Sequence, residues 1–371
     1  MGIVKLDDVL KYEQPTKYIV NNDNYSNDYK IPVLTAGKSF ILGYTNEMNN
    51  IFDNLPAIIF DDFTTAFHYV DFPFKVKSSA MKILNPVKDK ADLKYLFYKM
   101  QTISIDKDLH KRYWISKYSQ IQISLPDLKT QQKITSILDK ADNLRQYNKQ
   151  LIEKYDALMQ SLFLDMFGDP MRNEKGWKVK NGNEYCHKIS VGVVIRPASY
   201  YVDKGVIALR SLNIKPNRID LKDLVYFSKV NSETTLAKSQ LKTDDVVIIR
   251  TGSTGTATII PKELNNCNCI DLIITRPNKS IINPLYLVYF FNSERGKNIV
   301  SGHEVGGIQK HFNIGSIKSL KIPIPPINFQ NKFAERVQLI ETQKKKAEEA
   351  LEKSEALFQS LLQKSFKGEL N

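Results

Sequence analysis

The segment Glu153-Lys-Tyr-Asp-Ala-Leu-Met-Gln-Ser-Leu162 returns 199 positions later as Glu352-Lys-Ser-Glu-Ala-Leu-Phe-Gln-Ser-Leu361, with seven of ten residues identical. The offset holds upstream without a gap. Pro126 falls on Pro325, Gln131 on Gln330, Lys133 on Lys332, Ile123 on Ile322, Ile115 on Ile314, Tyr113 on Phe312 and Lys111 on Lys310. About sixty residues, 109 to 169, thus recur as 308 to 368. A shared helical propensity accounts for matching Glu, Lys, Ala and Leu. It does not account for aligned prolines or for the Lys-x-aromatic-x-Ile segment before them, so the chain is duplicated.

The front parts correspond more loosely. Ile31-Pro-Val-Leu34 resembles Val206-Ile-Ala-Leu209, and Pro56-Ala-Ile-Ile-Phe60 resembles Asp245-Val-Val-Ile-Ile249. Each is a short apolar run after turn formers, the mark of a strand. The expected organisation is a head (1–124), a helical region (125–169), a second head (170–322) and a second helical region (323–371). The fold class is α/β (α+β), in two copies, separated by two long antiparallel coiled-coil helices.

The first helix is expected from near Lys129 to Phe167, stopped by Gly168-Asp-Pro170. Its seam reads Ile137, Ala141, Leu144, Asn148, Leu151, Tyr155, Leu158 and Leu162, alternating by four and three with one polar interruption. The second runs from about Phe329 to Phe366, with Phe333, Val337, Ile340, Ala347, Leu351, Leu357 and Leu361 on its apolar stripe. A helix this long with one apolar stripe packs on another helix. Homodimerisation is one solution. Intramolecular pairing is preferred, because Asn148 and Lys344-Lys-Lys346 weaken both stripes and helices in one chain meet at high effective concentration. An antiparallel pair would give a dumbbell with approximate two-fold symmetry.

The 371 residues carry 53 Lys and Arg against 40 Asp and Glu, a formal net charge of +13. That surplus is uneven. Residues 1–124 hold 16 basic and 14 acidic side chains, 125–169 hold 6 and 7, 170–322 hold 23 and 12, and 323–371 hold 8 and 7. The second head alone is +11, which suits a surface that neutralises phosphates.

Candidate nucleic-acid contacts follow from basic side chains interleaved with hydroxyl, amide and aromatic ones. In the second head they are Arg210, Ser211, Asn213, Lys215, Arg250, Thr251, Ser253, Thr254, Lys310 and His311. The corresponding positions of the first are Thr35, Lys38, Ser39, Thr64, Lys111, Arg112 and Tyr113.

Other classes lack their signatures. No run of about 18 apolar residues marks a membrane span. The start carries Lys5, Asp7 and Asp8 and no apolar core of a signal peptide. Leu6 stands where myristoylation wants Ser or Thr. Cys186, Cys267 and Cys269 form no C-x-x-C pair, which argues against a disulfide scaffold or zinc site and for a reducing cytoplasm. Gly37-Lys38-Ser39 lacks the upstream glycine of a phosphate-binding loop. Asn283-Pro-Leu-Tyr286 is one residue from the Asn-Pro-Pro-Tyr of adenine methyltransferases, but no Gly-rich loop supplies a nucleotide site. It more simply starts an amphipathic helix over 285–291. Gly252-Ser-Thr-Gly255 reads as a tight turn between strands. No cofactor or metal site is expected in this chain.

With these features assembled, the chain resembles the specificity subunits of type I restriction-modification systems. The carriers are the junctions Ile121-Gln-Ile-Ser-Leu-Pro-Asp-Leu-Lys-Thr-Gln-Gln132 and Leu320-Lys-Ile-Pro-Ile-Pro-Pro-Ile-Asn-Phe-Gln330, together with Gly176-Trp-Lys-Val, Val206–Asn213, Asp245–Gly252 and the duplication itself. The resemblance implies two target recognition domains, each reading half of a split double-stranded DNA sequence through the major groove. It implies that the helices set the unread spacer and dock two methyltransferase subunits holding S-adenosylmethionine, with an ATP-driven restriction subunit also possible. A self-contained methyltransferase or nuclease, and a sequence-blind coiled-coil scaffold, are the alternatives.

Overall fold

The structure, a computed structural model, describes residues 2–35, 39–104, 112–302 and 312–369. The long helices span Leu128–Phe167 and Ile327–Lys367, 40 and 41 residues, or roughly 60 Å each at 1.5 Å per residue. Asp127 opens the first, its carboxylate accepting from the Thr130 amide and hydroxyl, both at 2.9 Å. Both end on a left-handed glycine, Gly168 (φ 78°) and Gly368 (φ 80°), a conformation open to glycine because it lacks a Cβ. The Trp177 indole N–H donates to the free carbonyl of Phe167 at 2.8 Å, which closes the end of the first helix.

The chain divides into two compact units, residues 1–149 with 348–371 and residues 150–347. Each unit therefore holds half of each long helix. In the first unit a four-stranded antiparallel sheet runs in the order Leu10–Glu13, Met81–Pro86, Ala57–Asp61, Phe67–Val70. A second sheet runs Ile41–Thr45, Ile31–Leu34, Lys75–Val76, its last pair parallel. Gly2–Lys5 pairs with Gln122–Leu125.

The second unit repeats this plan. Its four-stranded sheet is Cys186–Val191, Leu272–Pro277, Val246–Ile249, Ala257–Ile259. Its other sheet is Tyr201–Val202, Val225–Phe227, Val206–Leu209, Asn268–Cys269, again with a parallel last pair. Lys178–Lys180 pairs with Ile322–Ile324. The strands expected at Ile31–Leu34 and Val206–Leu209 occupy equivalent places, as do those at 57–61 and 246–249.

The central strands read as continuous apolar runs because both faces are covered. Ile58, Phe60 and Leu84 pack with Leu6, Leu96 and Trp114, while Ile59 and Ile83 pack with Phe52, Phe74 and Val76. In the second unit Val246, Ile248 and Ile273 pack with Phe291 and Phe312, while Val247, Ile249 and Ile274 pack with Leu209 and Leu241.

The junctions carry the same device twice. Buried Gln131 accepts from the Asp92 amide at 2.8 Å and donates to the Pro126 carbonyl at 2.7 Å. Buried Gln330 accepts from the Asn283 amide at 2.8 Å and donates to the Pro325 carbonyl at 2.7 Å and the Ile281 carbonyl at 3.0 Å. Asp92 and Asn283 are N-caps of equivalent helices, Leu93–Met100 and Pro284–Asn292. The glutamine thus ties the start of each long helix to the cap of the helix beside it.

The helices pair antiparallel within each unit. In the first, the Arg145 guanidinium sits 4.2 Å from the Phe358 ring and the Asn148 amide donates to Ser354 Oγ at 3.3 Å. In the second, Lys344 meets Asp156 at 2.6 Å, and Phe163 and Phe167 pack on Phe333 with ring centroids 5.8 and 5.1 Å apart.

The seam differs from the expected one at alternate positions. Ala141, Asn148, Tyr155 and Leu162 face inward or stand half-buried, but of the intervening places Leu138 and Met159 are buried where Ile137 and Leu158 were expected, Arg145 is half-buried where Leu144 was expected, and Leu151 and Ile152 share theirs. Leu144 and Leu158 are exposed, while Ile137 and Leu151 are half-buried. The choice between neighbouring apolar positions was open to a heptad count. The partner decided it, because Phe358 takes the Arg145 guanidinium over its ring and Tyr289 bonds Met159 Sδ at 3.0 Å. On the second helix Val337, Ile340, Leu351 and Leu361 face inward or stand half-buried, whereas Leu357 is exposed and Phe358 replaces it.

The helix expected over 285–291 is also not amphipathic. Tyr286 to Phe291 are all buried, since Phe163 and Phe167 cover one side of the helix and the sheet covers the other.

Candidate nucleic-acid interface

Five of the expected contact residues of the second unit converge. Ser211, Lys215, Thr251, Ser253 and Thr254 line one open cleft of about 870 Å³, with Gly252, Lys297 and Ser301. The cleft forms where the strand Val246–Ile249 turns. Gly255 donates to the Ile249 carbonyl at 2.9 Å and Thr256 to the Ser253 carbonyl at 3.2 Å, so the Gly252–Gly255 turn is tight, as its sequence indicated. Gly255 holds φ 83°, and a Cβ there would come within 3.3 Å of Val300. That close approach seats the helix Glu294–Ser301 against the turn and brings Lys297 and Ser301 to the cleft. Sequence reasoning did not single them out, because nothing local in the helix signals which loop it will meet.

Lys215 and Lys297 have no ion pair among the described residues. Two ammoniums without ion pairs, set among hydroxyls, have the chemistry that suits phosphate oxygens. The arginines stand differently. Arg250 pairs with Asp271 at 3.3 Å and its side chain is only 22 % exposed. Arg210 donates to the Asp223 carbonyl. The Nε of each is buried without a hydrogen-bond partner among the described residues. Both arginines therefore brace the loops of the cleft as folded here.

Two expected contacts are corrected by burial. Asn213 is fully buried; it accepts from the Arg210 amide at 2.9 Å and donates to the Asp220 and Lys222 carbonyls at 3.0 and 2.8 Å. Its amide pins the loop and does not face outward. Tyr113, 3 % exposed, packs in the core of the first unit, as its repeat partner Phe312 does in the second.

In the first unit Thr35 donates to the Ser39 carbonyl at 3.0 Å, Ser39 and Thr64 are exposed, and Arg112 is exposed with φ 74°. Lys38, Lys111, Lys310 and His311 lie outside the described residues. Where the second unit's turn opens on Arg250, the first unit's opens on Asp61 and Asp62. Asp61 accepts from the Phe63 and Thr64 amides at 2.7 and 2.9 Å, and Asp62 from the Trp114 amide at 2.8 Å.

The cysteines are packing groups. Burial pushes the Cys186 and Cys267 thiols up to about 12 and raises Cys269 well above the ordinary thiol value. Among the described residues no cluster of His, Cys, Asp or Glu is arranged to hold a metal, and no helix is long and apolar enough to cross a membrane.

Residues 1–154 and 226–354 match the family model described as type I restriction modification DNA specificity domain. The chain is 31 % identical over 374 residues to the specificity subunit of the type I restriction enzyme EcoR124I/EcoR124II of Escherichia coli, covering 91 % of this chain and 86 % of that protein. It is 24 % identical over 319 residues to the putative MjaX specificity subunit of Methanocaldococcus jannaschii, covering 78 % and 71 %. Its fold matches the crystal structure of the S subunit of a type I system from M. genitalium, with a TM-score of 0.58 at 14 % identity over 98 % of this chain and 96 % of that one. It also matches a chain from a study of complex assembly in a type I system, with a TM-score of 0.56 at 15 % identity over 100 % and 98 %.

Proposed function

The chain belongs to the family of type I restriction-modification DNA specificity subunits, and from that membership we propose how its parts divide the work of reading DNA. Residues 1–124 and 170–322 each read one part of a split double-stranded target. The helical regions 125–169 and 323–371 fix the number of unread base pairs between the parts and dock two methyltransferase subunits. A restriction subunit is a further candidate partner in the same complex. S-adenosylmethionine and ATP act in those partners, in the cytoplasm. The family supplies the recognition component of such complexes, so a self-contained methyltransferase or nuclease is not the better reading.

The observation that carries the proposal is the repetition of one strand order and one buried glutamine junction in two units of a single chain. Two equivalent readers on one polypeptide suit a target with two parts. In the second unit, Lys215 and Lys297 would meet phosphates while Ser211, Thr251, Ser253 and Thr254 offer donors and acceptors to phosphates and base edges. Arg250 and Arg210 hold the loops that present them.

The test is to map methylated adenines in cells carrying the chain with its methyltransferase. A two-part motif that vanishes on deletion of the chain is expected, and its absence would refute the proposal. Inserting four residues into the helices should change the spacer and leave both half-sites unchanged.

A further inference from the structure

Beyond the basic cleft, the second unit carries an apolar tip. After the strand Cys186–Val191, Gly192 donates to the Leu272 carbonyl at 2.9 Å and Val193 to the Cys269 carbonyl at 2.9 Å. Val194 and Ile195 then stand 48 % and 78 % exposed. Arg196 turns back with φ 42°, its carbonyl accepting from the Ser199 amide at 3.0 Å and hydroxyl at 2.8 Å. The tip is thus stitched down on both sides and holds two adjacent β-branched side chains in water. Isolated exposed apolar residues are ordinary, but a rigidly held pair asks for an occupant.

Its position indicates which occupant. Asp271 donates from its amide to the Val193 carbonyl at 3.1 Å and holds Arg250 by its carboxylate at 3.3 Å. The next residue, Thr251, lines the cleft. Tip and cleft therefore emerge from the same end of the same sheet. Arg196 and Lys238 flank the tip, both exposed and neither ion-paired among the described residues. A cationic surround suits a polyanion far better than an apolar protein face.

The corresponding segment of the first unit is too short for such a tip. Five residues separate Val9 from the turn beginning at Pro15, whereas eleven separate Tyr185 from the equivalent turn beginning at Pro197. The extra length is this segment, so whatever it reads belongs to the second unit alone.

We propose that Val194 and Ile195 contact the C5-methyl group of a thymine in the DNA part read by the second unit, making Ile195 a specificity-determining residue. A thymine methyl is the apolar feature of the major groove, and aliphatic side chains recognise it. The inference rests on the reading of residues 170–322 as a DNA-recognition unit.

The probe is duplex DNA bearing the mapped target, with each thymine of the second half-site replaced in turn by deoxyuridine, which lacks only that methyl. Binding is measured with the chain assembled with its methyltransferase subunits. One replacement should weaken wild-type binding roughly fourfold, the value for losing burial of one methyl group. Ile195→Ala should be weaker by a similar factor on the thymine duplex and indifferent to that same replacement.

The proposal is overturned if wild type ignores every replacement, if the half-site contains no thymine, or if Ile195→Ala keeps the full sensitivity. Failure of Ile195→Ala to assemble with methyltransferase subunits without DNA would also overturn it, marking the tip as a protein contact. Loss of all sequence-specific binding by the wild-type complex would instead refute the recognition reading itself.

Discussion

Gln330→Ala removes one side chain that is fully buried and makes three hydrogen bonds to backbone, at 2.7, 2.8 and 3.0 Å. All three partners are main-chain groups, at Ile281, Asn283 and the Pro325 junction. An orphaned buried donor or acceptor costs about 1–3 kcal/mol, an amide N–H more reliably than a carbonyl that keeps a second lone pair. The Asn283 amide and two carbonyls together give a destabilisation of about 3–4 kcal/mol, a large part of the roughly 5–15 kcal/mol that holds a domain. Gln131→Ala loses two such bonds and should cost about 2–3 kcal/mol by the same reasoning.

Hydrogen exchange read by mass spectrometry suits this prediction, because two units need not unfold in one transition. At about 3 kcal/mol, the slowest amides of the Pro284–Asn292 helix should exchange about 150-fold faster in Gln330→Ala, with little change in the Leu93–Met100 helix. Gln131→Ala should show the reverse pattern. Gln330→Glu keeps the acceptor but loses both donations and buries a carboxylate beside carbonyl oxygens, so it should not rescue. Acceleration under about fivefold, equivalent to roughly 1 kcal/mol, or equal acceleration of both helices by either variant, would refute the assignment of each glutamine as the clamp of its own junction.

Lys215→Ala and Lys297→Ala should each weaken binding about equally on all sequences and lower the salt slope of log K by about one, measured by titration at several salt concentrations; an unchanged slope places these lysines off the phosphates. Asn148→Leu should leave stability unchanged or raise it by about 1 kcal/mol, since Ser354 keeps its bond to the Leu351 carbonyl at 2.9 Å; a fall in thermal midpoint would show the polar layer to be a net stabiliser. Burial raises the Cys186 and Cys267 thiols from an ordinary 9.0 to about 12, so their contribution to stability is complete below about pH 9 and lost as pH rises toward 12. Alkaline unfolding followed by fluorescence should show this, and thiol reagents at pH 8 should label the folded chain slowly and the unfolded chain fast.

What the sequence disclosed and what it withheld divide along a physical line. The duplication, the end of the first helix at Gly168 and the strands at 31–34, 57–61, 206–209 and 246–249 were legible, because each depends on neighbours in the chain or on a comparison of the chain with itself. The helix seam was half legible. A heptad count finds the stripe but cannot choose between Leu144 and Arg145, or between Leu158 and Met159; that choice depends on Phe358 and Tyr289, far away in sequence. Residue type pointed to Arg210, Arg250 and Asn213 as readers because those groups recognise bases elsewhere. Type carries no account of Asp271, Asp223 or the Asp220 and Lys222 carbonyls, which engage the same groups inside the loop.

The charge argument changes accordingly. The surplus of +11 over residues 170–322 does not identify the contacts by itself, because its arginines at the cleft are paired or tied to carbonyls. On the proposed reading, the cations offered to a polyanion are those without an ion pair among the described residues, Lys215 and Lys297 beside the cleft and Arg196 and Lys238 beside the tip. Only tertiary structure distinguishes that remainder from the rest. The first unit has Asp61 at the equivalent turn and a near-even charge, so on the proposed reading it is expected to draw more of its affinity from hydrogen bonds and shape than from counterion release. The salt dependence of binding should therefore lie mainly in the second unit, and Lys215→Ala tests that division directly: a complex whose salt slope is unmoved by losing a cleft lysine does not draw its phosphate contacts from there.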